Sequence, residues 1–290
     1  MPPPPPASLP LPERLKALAQ TLQFVWFVGH LTLLLSVVRH LLSYITFNYY
    51  SRWAQLSYRV AFVAAAATYG IVVYKQYFAR GRLQGSPVSI ALKLAGDENV
   101  QYLAMALVWL YSRQIPLALL PFSVYSVFHV ATYTRTYLIP TLQPPPQGAA
   151  GAPPSSPTSP RPAAKQSPLA DSIGRFIKRY YDGSMALVAS LELSLLFRLV
   201  LSALTFSKGS WVLLLLYLAF FRARYSQSSF VQNAVAHTTA RIDTSVSHQS
   251  TPPAVRQGWE TFKGVVRQAY DATDVKRYAG GYAATPKKPQ

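Results

Sequence analysis

Long apolar runs are the feature that most limits what this chain can fold into. The first extends from Leu22 to about Leu42, roughly the 20 residues that a helix needs to cross a hydrocarbon core about 30 Å thick. Half of the 290 residues are hydrophobic and only 13% are charged, whereas about a quarter of an ordinary soluble domain is charged. The sequence therefore predicts an all-α, multi-pass helical membrane protein.

Six apolar arms follow this pattern, in two groups. Residues 21–138 contain about four arms, and residues 171–224 contain a single hairpin. Two pairs of neighbouring arms are unequal in length. The short arm Val100–Ser112 precedes a longer arm, and the short arm Trp211–Phe221 follows one. The first short arm would be about 20 Å long as a helix, too short to cross the core unaided. We therefore expect short helical hairpins as well as full spans.

The remaining segments are proline-rich or polar. Residues 1–20 form a proline-rich lead that we expect to be disordered, and residues 139–170 form a Pro/Ser-rich linker with too many prolines for packed structure. The polar, aromatic stretch Asn48–Arg59 is predicted to be a loop between two arms. Residues 225–290 form a basic tail.

The basic residues predict the orientation of the chain. The formal net charge is +18, and 22 of the 28 Lys and Arg residues fall in segments that alternate topology places on one side of the membrane. Cytoplasmic loops are enriched in Lys and Arg. We therefore expect both termini and the linker in the cytosol.

A nucleic-acid binder does not need so apolar a composition, so no direct contact with nucleic acid is expected.

Residues that could carry enzyme chemistry are scarce. The chain has no cysteine, which excludes disulfides and thiolate metal sites, and it lacks the usual acyl-transfer, P-loop and dinucleotide motifs. None of the five histidines has the spacing of a zinc motif. We therefore predict no enzyme activity, no metal and no cofactor. His129 lies in an apolar arm, where a hydrogen bond to another helix is the favoured role.

Glu192 and Arg198 are ionisable residues in the arm Met185–Phe206, where charge is costly and function is the default hypothesis. They lie about 120° apart around a helix, so each needs another partner. The favoured interpretation is that Glu192 bonds to another arm and Arg198 reaches an interface. The alternative is a small transporter or channel that uses both residues.

The tail contains an amphipathic pattern over about residues 254–278. Large apolar side chains with helical spacing predict a helix that lies in the membrane interface. Its proposed membrane-binding residues are the apolar Val255, Trp259, Phe262 and Val266 and the basic Arg256, Lys263 and Arg267. Packing of this helix on the rest of the protein is the alternative.

Several short patches resemble the transmembrane-protein-thirty-three family, the Pom- and Per-type proteins of the endoplasmic reticulum and nuclear pore membrane. These patches lie at the ends of arms. They are Asp97, Glu98, Tyr102 and Leu103; His129, Ala131, Thr132, Tyr133 and Thr134; Leu191 and Glu192; and Arg224, Tyr225 and Ser226.

The resemblance implies a non-enzymatic protein of the reticulum membrane and nuclear envelope. It implies association with reticulon-type membrane shaping and a contribution to nuclear pore distribution or assembly. It also implies that nucleoporins and an importin are partners beside the lipid bilayer, the importin through the C-terminal amphipathic helix. The hypothesis that joins these points is membrane curvature, produced by hairpin wedges and the tail helix in the cytosolic leaflet.

Overall fold

A computed structural model describes residues 5, 6, 8–81, 83–143 and 167–273. Throughout these residues the regular structure is helical, which confirms the all-α class. The helices are α1 (Leu11–Ala19), α2 (Leu22–Ile45), α3 (Arg52–Val73), α4 (Pro87–Ala95), α5 (Glu98–Tyr111), α6 (Leu119–Tyr133), α7 (Ile139–Leu142), α8 (Pro168–Leu204), α9 (Ser210–Gln227), α10 (Ser229–Val246) and α11 (Pro253–Ala272). Single π-helical turns, Tyr74–Phe78 and Thr134–Leu138, extend α3 and α6.

Side-chain caps determine where several of these helices begin. Thr21 accepts a hydrogen bond from the backbone N–H of Phe24, and Asp97 accepts two at the start of α5. Ser51 accepts one from the N–H of Ala54, so α3 begins at Arg52. The prediction of a loop over Asn48–Arg59 is therefore wrong beyond Ser51. A capping serine offsets the polar composition of the first turns of α3.

Two further boundaries need correction. The predicted disordered lead, residues 1–20, contains the helix α1, whose Leu18 packs against Phe27 and Tyr133. The predicted linker, residues 139–170, is helical at both ends, in α7 and in the first residues of α8. Proline is tolerated in the first turn of a helix, and α1, α7 and α8 each have one there. Residues 1–4 and 144–166 lie outside the described residues.

The chain divides into two compact units, Met1–Arg224 and Tyr225–Gln290. In the first unit α2 packs on α3 and α6, α3 on α5, and α6 on α8. The turns α2–α3, α5–α6 and α8–α9 lie at one end of this bundle, which we call the turn end. The other end, where α5 begins and α9 ends, we call the open end.

Aromatic side chains fill much of the bundle core. Tyr102 of α5 stacks on Tyr69 of α3 and meets the edges of Phe122 of α6 and Phe220 of α9. The ring centroids in these pairs are 5.4 to 5.5 Å apart. Tilted and offset rings at such distances are favourable arrangements. Tyr102 therefore joins four helices in one packed group.

The helices α2 and α3 make a close approach at Gly29. A Cβ atom at this position would lie 2.5 Å from Cγ2 of Thr68, which is fully buried. Small residues let membrane helices approach in this way, and Ala64 and Ala65 are also buried along α3.

We expect Gly29→Ala to destabilise the bundle by about 1–3 kcal/mol, because the new methyl group overpacks the interface. The additional change Thr68→Ser removes Cγ2 and should restore most of the loss. Gly70→Ala is the control, since nothing lies within 4 Å of its added Cβ. Detergent-induced unfolding followed by circular dichroism measures all three. A harmless Gly29→Ala would contradict the close approach.

Candidate functional site

A buried polar cluster joins α5, α6, α8 and α9. Its members are Tyr102, Tyr125, Glu192 and Arg224, with the half-exposed Glu98 at its edge. Glu192 and Arg224 are only 1% and 4% exposed, although both are charged residues within largely apolar helices. Such groups are retained inside proteins only when they are paired.

The guanidinium of Arg224 is the centre of the cluster. Its Nε donates to both carboxylate oxygens of Glu192, at 3.3 and 3.4 Å, and its Nη1 forms an ion pair with Glu98. Its Nη2 donates to the hydroxyl of Tyr125 at 3.3 Å. The guanidinium also lies 5.3 Å from the ring centroid of Tyr102. One side chain therefore uses the planar fork of donors that distinguishes arginine from lysine.

Glu192 has a second set of partners besides Arg224. The Tyr102 hydroxyl donates to its Oε1, and the Tyr217 hydroxyl donates to its backbone carbonyl at 2.8 Å. The Tyr102 and Tyr125 hydroxyls are 3.2 Å apart, which closes the network. The carboxylate therefore meets α5 and α9 at one point of α8.

The cluster lies where the short helices meet the open end. Glu98 begins α5 and Arg224 lies in the last turn of α9, so an acid stands at a helix N-terminus and a base at a C-terminus. Both placements are favourable for the helix dipoles. With 14 and 18 residues, α5 and α9 are about 21 and 27 Å long. The cluster thus ties the ends of two helices shorter than a hydrocarbon core to a long span.

The structure separates the predicted intramembrane polar residues into three environments. Arg198 is exposed. Glu192 pairs with Arg224 and not with Arg198. The His129 ring packs against Trp26 and His30, with centroids 4.8 and 4.6 Å away. His30 in turn bonds through Nδ1 to the Ser126 hydroxyl. Within the described residues no three potential metal ligands come together.

The sequence predicts that Glu192 needs a partner on another arm but does not identify that partner. Glu98, Tyr102 and Arg224 were named only as parts of the family resemblance. Each lies within two turns of a helix end, and this common position was the available signal. Tyr125 gave none.

In the second unit, α11 presents the predicted membrane-binding face. Val255, Phe262 and Val266 are 50 to 55% exposed, and Arg256 and Arg267 are also exposed. Trp259 is only half-buried and stacks on Phe262 at 5.5 Å. The described helix ends at Ala272, and residues 274–278 of the predicted range lie outside the described residues.

The neighbouring helix α10 contacts one edge of this face. Oδ1 of Asp243 accepts hydrogen bonds from Nε1 of Trp259 at 2.6 Å and from Nζ of Lys263 at 2.9 Å. These two bonds lower the pKa of the Asp243 carboxyl. The bonds to Glu260 and Asp243 raise the pKa of Lys263. Trp259 and Lys263 thus hold α11 beside α10, while Phe262 and Val266 remain uncovered.

Among the described residues, four helical stretches are long and apolar enough to cross a membrane: Leu22–Ile45, Arg52–Phe78, Pro116–Leu142 and Pro168–Leu204. Together with the buried ionic cluster, they define a multi-pass helical membrane protein whose charged residues join helices.

The family model described as Transmembrane protein 33/Nucleoporin POM33 matches residues 13–271, and the chain belongs to that family. It is 53% identical over 289 residues to Nucleoporin POM33 of Chaetomium thermophilum, with 99% of each chain covered. It is 32% identical to Tetra-spanning protein 1 of Schizosaccharomyces pombe, covering 89% of this chain and 87% of that protein. It is 30% identical to Pore membrane protein of 33 kDa of Saccharomyces cerevisiae, covering 87% and 85%. No solved structure gives a significant match. The family is one of membrane proteins and nucleoporins, and is not an enzyme family.

Proposed function

We propose that this protein shapes or stabilises curved membrane in the endoplasmic reticulum and nuclear envelope, and thereby contributes to nuclear pore distribution or assembly. It does so without enzyme activity, through its short hairpins and the helix α11. The names Nucleoporin POM33 and Pore membrane protein of 33 kDa, borne by two relatives, support the link to the pore.

The observation that carries the proposal is the unequal depth of the hairpins. At the α5–α6 turn, the backbone N–H of Ile115 donates to the hydroxyl of Tyr58 at 3.1 Å. Tyr58 lies six residues, about 9 Å, inside the start of α3. Arg113 of the same turn bonds to Ser202, near the end of α8. The α5–α6 turn therefore meets α3 inside its start, and it lies level with the end of α8.

More protein consequently lies toward the open end. The helices α1 and α7 are found there, and α8 begins 24 residues, about 36 Å, before Glu192. With the predicted orientation, the open end faces the cytosol. A bundle with more volume in the cytosolic leaflet favours curvature toward that side, and α11 would add area to the same leaflet.

The proposed partners follow from this location. The lipid bilayer is the first, and reticulon-type membrane-shaping proteins, nucleoporins and an importin are the others. The tail, with its cationic residues beside the uncovered α11 face, supports contact with an acidic surface. Nucleic acid has no direct part in this proposal.

Imaging of the fluorescently tagged full chain in living cells tests the location. We expect a punctate nuclear rim above a reticulum background. The variant with Phe262→Asp and Val266→Asp should lose rim enrichment and keep the reticulum signal, because the bundle still inserts. A parent chain confined to another organelle, or spread evenly through the reticulum, would contradict the proposal.

A further inference from the structure

A groove of about 460 Å³ opens on the surface of the bundle between α2, α6 and α8. Its walls are Leu34, Val127, Val130, Ala131, Ile173 and Phe176. All six residues belong to helical stretches that are long and apolar enough to span a membrane. We therefore expect the part lined by Leu34, Val127, Val130 and Ala131 to face hydrocarbon, whereas Ile173 and Phe176 belong to the charged first part of α8.

The groove has one apolar end and one polar end. It follows α6 from Val127 to Thr134, seven residues or about 10 Å, a large part of one leaflet of a core about 30 Å thick. Leu34 lies at the deep end. Thr134 and Ser172 lie at the other, toward the open end. This is the polarity of an acyl chain that ends in a polar headgroup.

Basic side chains flank the polar end. Nη2 of Arg175 donates to the hydroxyl of Ser172, which lines the groove, at 2.9 Å. The guanidinium of Arg135 lies against Gly174, because a Cβ atom added there would come 2.9 Å from its Cζ. A guanidinium has five N–H donors, and the bond to Ser172 uses one of those of Arg175.

The charge at this end is net positive. At this end of α8, Arg175 is offset by Asp171. Arg135 adds a further cation from the π-helical turn after α6. Basic pockets between membrane helices suit anionic headgroups.

We propose that this groove binds one anionic glycerophospholipid, with an acyl chain along Val127–Thr134 and the headgroup phosphate at Arg135 and Arg175. The site is built from the bundle alone and does not depend on the curvature proposal. The two guanidinium groups at the polar end favour an anionic headgroup over a segment of the linker, because residues 139–170 contain no acidic residue.

Native mass spectrometry of the full chain in detergent tests the site with phosphatidylinositol and phosphatidylcholine as probes. We expect the parent to retain one phosphatidylinositol per chain, and Ala131→Phe to reduce retention at least about tenfold by filling the groove. Ala66→Phe is the control, since Ala66 is a half-buried residue of α3 that does not line the groove. Arg175→Gln should lower the preference for the anionic lipid about threefold or more, whereas Arg179→Gln should not.

Equal retention by the Ala131→Phe and Ala66→Phe variants would overturn the proposal, and so would equal retention of the two lipids by the parent. A measurement on the unchanged protein covers the case in which Ala131→Phe fails to fold. A phospholipid with a photoreactive acyl chain should label Val127 and Phe176 more heavily than the exposed Val38 and Leu201. Uniform labelling would show bulk lipid only and overturn the site.

Discussion

Replacing Arg224 with leucine is expected to destabilise the membrane bundle by about 3–5 kcal/mol, the cost of leaving a buried charge without its partner. Glu192 would keep only the Tyr102 hydroxyl as a side-chain partner, in a site that is 1% exposed. Glu98 would suffer less, because its side chain is 52% exposed. Unfolding in mixed detergent micelles, followed by circular dichroism, gives the magnitude.

A double-mutant cycle separates pairing from the general effect of a large substitution. The double variant Glu192→Leu with Arg224→Leu should recover much of the stability lost by Arg224→Leu alone, since it leaves no unpaired charge at α8. Arg198→Leu is the matched control, because Arg198 is an exposed arginine of α8. If Arg224→Leu were no worse than Arg198→Leu, the cluster would not be holding the helices together.

The same variants decide between the structural role and the transporter alternative. A transport pathway through Glu192 and Arg198 requires both residues, whereas the structural role of the polar cluster requires Glu192 and Arg224. We expect the change of both Glu192 and Arg198 to leucine to lower stability only through Glu192. Loss of an ion or solute flux in a normally folded and localised variant would favour transport instead.

The second large effect concerns α11. Phe262→Asp together with Val266→Asp should reduce binding of the peptide covering residues 251–278 to anionic vesicles at least about tenfold, because two apolar anchors become charged. We choose these two because Trp259 also bonds Asp243, so its replacement would disturb the contact with α10. Vesicle co-flotation measures the bound fraction.

A control variant adds the same charge to the opposite side of the helix. Thr261→Asp with Gln268→Asp leaves the apolar stripe intact, and it should cost only the electrostatic part of binding. Equal flotation of the parent and the Phe262, Val266 variant would show that the exposed face of α11 does not bind membrane. Equal loss in both variants would assign binding to charge alone.

Apolar runs allowed the six arms to be placed from sequence because their length and composition are nearly sufficient for a membrane helix. The start of α3 was missed because Arg52, Gln55 and Arg59 make its first turns polar, while the decisive signal is a single capping residue, Ser51. The helix α1 was missed because its prolines suggested disorder. In α1, however, Leu18 finds a buried site against α2 and α6.

The candidate site was predictable only in part, for a physical reason. The cost of a buried carboxylate requires that Glu192 have a partner, and this follows from local sequence. The identity of that partner depends on how far α9 runs back along α8 and how α9 is rotated, which packing decides. Arg224 lies 32 residues away along the chain. Likewise the amphipathic pattern of α11 was readable, whereas the bond from Trp259 to Asp243 depends on how α10 folds back.

The most direct test of membrane shaping is to pull thin tubes from giant vesicles derived from swollen reticulum, where every copy of the chain keeps its native orientation. Fluorescence of the tagged chain on the tube is compared with that on the flat membrane and with a single-span reference protein. The account predicts enrichment of the parent chain on the tube that increases as the tube narrows, and weaker enrichment of the Phe262, Val266 variant. A parent chain distributed like the single-span reference at every tube radius would contradict it.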